Sequence, residues 1–205
     1  MKTHYIHPDN PQARLLKDAT DALKQGQLIV FCDETGYQLG FSPSNKSALD
    51  ALKRLGLADK LDDITLLCAD LSQASHYTTL DNAQFRLLKA HGEQARFLLT
   101  AEKSTPKALH QKDKAVALRL TTPPLTQALI ESMGEPLGAL PLVASGLLDE
   151  TQAGFAYAIE DTLDGRIEVF LNTGDTHPKQ LPLINAIDTP ATLAKAGDTP
   201  LDWIE

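Results

Sequence analysis

Cysteine is scarce in this chain: Cys32 and Cys68 end two separate apolar runs, with no CxxC pair and no histidine at metal-ligand spacing. That excludes a disulfide-stapled scaffold and a compact zinc site, and both thiols read as small buried hydrophobes. The six histidines share no i, i+4 pair, so no metal centre is expected. Long hydrophobic runs are missing as well. None approaches the roughly 18 residues of a membrane-spanning helix, and the opening MKTHYIHPDNPQ has no apolar stretch after its lysine. The expectation is a cytoplasmic protein with no membrane contact. Basic charge is in deficit, with 19 Lys and Arg against 27 Asp and Glu and a formal net charge of -8. Proteins whose main work is gripping a nucleic-acid backbone usually show the opposite sign, because they gain by releasing counterions. Any polynucleotide site must be a local patch. GxGxxG, GxxxxGK[ST], GxSxG and HExxH are all absent, which removes the common dinucleotide, P-loop, hydrolase and metalloprotease signatures.

What is present is ordinary globular material: 42% hydrophobic residues, 12 Gly and 12 Pro over 205 residues, a length that suits one domain, residues 1–205. Helical periodicity predicts helices over 11–25, 47–57, 81–91 and 124–134, with a short one opened by Pro106. β-rich runs predict strands at 28–31, 37–41, 64–71, 96–102 and 115–120. Further strands are expected in LGALPLVASG, FAYAI and RIEVFLN, with a last pair around LINAID and ATLAKAG. The alternation implies one layered α/β domain. Residues 1–10 are expected as a mobile arm.

Three features invite a functional reading. In LIVFCDETGYQLG, positions 28–40, an apolar strand runs into Asp33, Glu34 and Thr35. The segment reads either as a polar hairpin turn or as a ligand rim at a strand end, where α/β proteins gather ligands. Lys53 and Arg54 close a helix, where cations suit the dipole as well as a ligand. Arg119 stands inside the apolar strand AVALRL, and a buried guanidinium needs an anionic partner, internal or bound.

In collinear order the segments YIHPDNPQ, CDETGYQLG, ITLLCADLS, DNAQFRLLK, PLTQALIESMGEP and DTPATLAKAGD resemble the YrdC/YciO family, and its YciO branch in particular. The resemblance implies a YrdC-like α/β (α+β) fold, a twisted mixed sheet flanked by helices around a central cleft. Active members make L-threonylcarbamoyladenylate from threonine, bicarbonate and ATP with Mg²⁺, for modification of tRNA, and the fold is linked to double-stranded RNA. Glu34, Thr35 and Tyr37 match the family's acid, hydroxyl and aromatic, Arg54 the first of its basic pair, and Arg119 its strand arginine. Cys32-Asp33 replaces Pro-Thr, Gly56 the second basic residue, Arg96 a threonine, LGALPL a serine-rich element, and Leu181-Pro182-Leu183 a hydroxyl-bearing one. The resulting expectation is a degenerate nucleotide site using Glu34, Thr35, Tyr37, Lys53, Arg54, Arg96 and Arg119. It would bind a nucleotide, a small anion or RNA without efficient synthesis. The alternatives are an active synthase, with Arg96 and Lys53 replacing lost groups, and weak tRNA or duplex RNA binding helped by Lys103 and Lys107.

Overall fold

Short β-branched and leucine-rich runs separated by turn residues assemble into one ten-stranded mixed sheet, in a computed structural model that describes residues 1–204. The strands are β1 (Lys2–Tyr5), β2 (Ile29–Asp33), β3 (Gly36–Phe41), β4 (Thr65–Cys68), β5 (Arg96–Thr100), β6 (Ala115–Leu120), β7 (Leu137–Pro141), β8 (Val169–Asn172), β9 (Leu183–Asn185) and β10 (Thr192–Lys195). The helices are α1 (Ala13–Lys24), α2 (Lys46–Arg54), α3 (Leu71–Tyr77), α4 (Asn82–His91), α5 (Pro124–Met133), α6 (Leu142–Ser145) and α7 (Ala156–Leu163). Across the sheet the order is β1-β8-β2-β3-β7-β4-β6-β5-β9-β10.

Local chemistry explains the helix ends. Proline opens α5, where its missing N–H is no loss, and Gly134 closes it at φ 70°. Asp81 and Gln84 form a reciprocal capping box at α4. Alternation along each strand then sorts side chains to two faces. In β3, Tyr37, Leu39 and Phe41 pack with Leu49 and Leu52 of α2 and Ile159 and Leu163 of α7. On the other face, Ile29, Phe31, Leu67, Leu137 and Ala139 pack with Leu16 and Leu23 of α1 and Leu125 and Leu129 of α5. Each such fully buried side chain contributes about 1.5 to 3 kcal/mol.

Three expectations require correction. Residues Lys2–Tyr5 are an edge strand paired in parallel with β8, not a mobile arm. The Met1 ammonium meets Asp164 at 2.8 Å and the His4 ring meets Asp18 at 2.8 Å, which ties the segment down. FAYAI is the start of α7, because its apolar positions Ala156, Ile159 and Leu163 recur at helical spacing once the run is extended. LGALPLVASG is strand only through Pro141 and then turns into α6.

One connection governs the site. β8 and β9 lie seven strand positions apart, about 34 Å when followed along the sheet at the usual spacing of about 4.8 Å, and less across it, because the sheet curls enough for Arg119 of β6 to meet Asp33 of β2. The connector, residues 173–182, reaches about 36 to 40 Å when fully extended. It starts against the Tyr37 hydroxyl on the α2/α7 face, rounds the tip of the β2–β3 hairpin at Gly36, and ends over the opposite face beside Arg96. Backbone bonds pin it, Thr176 N–H to Gly154 O at 2.8 Å and Lys179 N–H to Thr35 O at 2.9 Å.

Candidate functional site

The acidic turn is a two-residue hairpin. Asp33 pairs with Gly36 across β2 and β3, leaving Glu34 and Thr35 as the loop. Asp33 Oδ1 accepts hydrogen bonds from the Thr35 backbone at 2.7 Å and its hydroxyl at 2.6 Å, which shapes the turn. Gly36 has φ +106°, and a Cβ there would sit 3.1 Å from Pro178 Cα of the connector, so glycine serves both the turn and the crossing chain.

The hairpin reading of this segment holds, and Arg119 reaches the turn from β6. Arg119 is buried, and its two terminal nitrogens pair separately with Asp33 and Glu34. Burial works against its charge, yet the two carboxylates hold its pKa above the usual guanidinium value. Burial pushes Glu34 above the usual carboxylate range, with the Asp33 charge adding to the rise and Arg119 opposing it. Next to them, burial lifts the Cys32 thiol to about 11, so it is no thiolate nucleophile at neutral pH.

Beside this triad the face shared with α1 and α5 opens into a cleft. Gln38 and Thr35 line one side, Thr65 and Leu67 of β4 and Ala139 and Pro141 of β7 form the floor, and Arg96 and Arg119 form the far wall. The Phe97–Leu118 pairing carries Arg96 next to Arg119. Lys179, Gln180 and Leu181 of the connector cover it, and Lys195 of β10 reaches in from the edge. The space enclosed is about 40 Å³, room for a few water molecules.

Of the predicted residues, then, Thr35, Arg96 and Arg119 line one cavity, and Glu34 joins it through Arg119. Tyr37 does not. Alternation turns it to the α2/α7 face, where its hydroxyl donates to Gly174 O at 2.6 Å and accepts from the Thr173 amide at 3.1 Å. Lys53 and Arg54 are also elsewhere. Lys53 lies 3.8 Å from Asp50 at the exposed end of α2, and Arg54 borders a separate groove with Met1 and Gln27. Gln38, Thr65, Lys179 and Lys195 were not anticipated. Gln38 and Thr65 could have been found as polar residues in apolar strands; the lysines give no such signal. Among the described residues no group of three or more His, Cys, Asp or Glu side chains is placed to hold a metal ion, and no helix is long and apolar enough to cross a membrane.

Residues 21–196 match the Sua5/YciO/YrdC family model, whose description reads "Telomere recombination". The chain is 32% identical over 195 residues to the uncharacterized protein YciO of Escherichia coli K12, covering 94% of each. The crystal structure of E. coli YciO superposes with a TM-score of 0.86 at 31% identity, covering 98% of both chains. A threonylcarbamoyl-AMP synthase of Vibrio vulnificus is 26% identical over 168 residues, 79% of this chain and 89% of the synthase. The crystal structure of P. abyssi Sua5 complexed with L-threonine shares the fold at a TM-score of 0.83 and 19% identity, covering 99% of this chain and 59% of that one. With the family match spanning most of its length and YciO aligned almost end to end, the chain belongs to the Sua5/YciO/YrdC family.

Proposed function

We propose that this is a cytoplasmic, YciO-like protein that binds a small anionic ligand in its cleft and does not make threonylcarbamoyl-AMP efficiently. One observation carries the reading: Arg119, which matches the family's strand arginine, is already engaged by Asp33 and Glu34 of its own chain. A triphosphate approaching that guanidinium would have to displace two carboxylates, and their charge would repel it. The β7 wall adds nothing polar, since the side chains facing the cleft there are Ala139 and Pro141. ATP with Mg²⁺, implied by the family resemblance, does not fit these residues. If each missing charge-assisted contact removes about 1.5 to 3 kcal/mol, two or three lower affinity by several orders of magnitude.

An active synthase would need Arg96 and Lys53 to replace lost groups; Arg96 lines the cleft, but Lys53 is on an exposed helix end away from it. Of the cations expected to serve RNA, Arg96 and Arg119 line the cavity and Lys53, Arg54, Lys103 and Lys107 do not, so the reading is kept to a small ligand. The test is pyrophosphate release from ATP by purified protein supplied with threonine, bicarbonate and Mg²⁺. The expected rate matches a no-enzyme control. Release at the rate of a threonylcarbamoyl-AMP synthase assayed alongside, lost on Arg119→Ala, overturns the proposal.

A further inference from the structure

Two groups in the cleft have no partner inside the protein. Arg96 is half-buried on β5, and among the described residues no carboxylate lies within ion-pair distance of it; the charge it meets on the next strand is that of Arg119. Burial depresses its pKa, the charge of Asp63 offsets this only in part, and the repulsion of Arg119 adds to the fall. Thr65, 3% exposed, has a buried hydroxyl with no hydrogen-bond partner. Both line the same cavity of about 40 Å³. Native interiors rarely leave a buried hydroxyl or a guanidinium unmatched, because each forfeits its solvation without return.

The charge around the cavity fixes the sign of what is missing. Arg119 is matched by Asp33 and Glu34, and Lys195 lies 3.8 Å from Asp63. Arg96 and Lys179 remain without a carboxylate, and the four cations exceed the three acids by one. The shape narrows the class further. One guanidinium fork and one hydroxyl suit the two oxygens of a carboxylate. The apolar part of the lining, Leu67, Ala139, Pro141, Ala144 and Leu181, offers an alkyl group a dry surface.

We propose that the cleft binds a short monocarboxylate without an ammonium group, its carboxylate on Arg96 and Thr65 and its alkyl end against Leu67, Ala139 and Pro141. This deepens the small-anion reading above and rests on it for the site, not for the lack of synthase activity. Failure of the pyrophosphate test leaves it standing, and its own failure leaves that test unchanged.

The experiment measures thermal melts and calorimetric titrations of the full chain with propionate, inorganic phosphate and L-threonine. Propionate is expected to raise the melting temperature in proportion to the logarithm of its concentration, with phosphate and threonine at least tenfold weaker. Arg96→Thr should lose about tenfold to a hundredfold in propionate affinity, and Thr65→Val, nearly isosteric, about threefold to tenfold. Arg54→Ala should bind as wild type does. If Arg96→Thr does not fold, Thr65→Val decides. No binding of propionate, tighter binding of phosphate or threonine, or an unchanged affinity in the folded variants overturns the proposal.

Discussion

Arg119 carries one positive charge against two acids; it and Asp33 are stripped of their water, while Glu34 keeps part of its own. Such a group is stable only as a unit. Replacing a whole buried ion network by apolar residues is often neutral, whereas removing one member strands the others. Arg119→Met should therefore destabilise the fold by about 3 to 5 kcal/mol, read as a drop in the urea midpoint. The triple variant Arg119→Met, Asp33→Asn, Glu34→Gln should recover most of that loss. A single variant as stable as wild type would show that the pairs add nothing to the fold. This residue was legible before the structure, because a guanidinium inside AVALRL demands a counter-charge wherever the strand goes. Tyr37 was misplaced for an equally plain reason. Counting by two along Tyr37, Gln38 and Leu39 puts the tyrosine with leucine on one face and leaves the glutamine for the other.

At the level of elements, the β2–β3 hairpin is where local and distant constraints meet. Its turn needs a positive φ at Gly36, and the same backbone atom faces Pro178 of the crossing connector at close range. Gly36→Ala meets both obstacles, a strained dihedral of about 1 to 3 kcal/mol and a neighbour held in place by the Lys179–Thr35 bond. The expected result is a loss of stability in that range by equilibrium denaturation, larger than for Gly165→Ala, where φ is +70° but nothing lies within 4 Å. Equal losses at the two positions would mean that the connector yields freely. Periodicity read most of the elements well where helices were long and properly ended, as in α1 and α5. It failed on FAYAI, since a short apolar run fits either period until its neighbours are counted. It also failed on β1, whose strand character comes from pairing with β8 far along the chain rather than from its own polar sequence.

For the whole molecule, the least legible feature was the route of residues 173–182, because no local signal tells a chain which two strands it must join. Lys179 and Lys195 reach the cleft only through that routing. The connector behaves as a tendon tied down at Gly174, Thr176, Lys179 and Pro182. Lifting it over the cavity works against these ties, and the weaker end anchor is β9, three residues beside β5. The anchor point itself is the Arg96 amide bonded to Pro182 O at 2.9 Å, on the residue whose side chain points at the cavity. Moving the segment for an occupant is expected to pull on β9 at the sheet margin. Once the occupant is seated and the tendon is back in place, amide exchange at Ile184 and Asn185 should slow, measured by hydrogen–deuterium exchange with and without saturating propionate. Unaltered exchange there would mean that the crossing segment moves independently of its attachment. With tension transmitted in this way, the quiet outer strands of the sheet become a gauge of what occupies its centre.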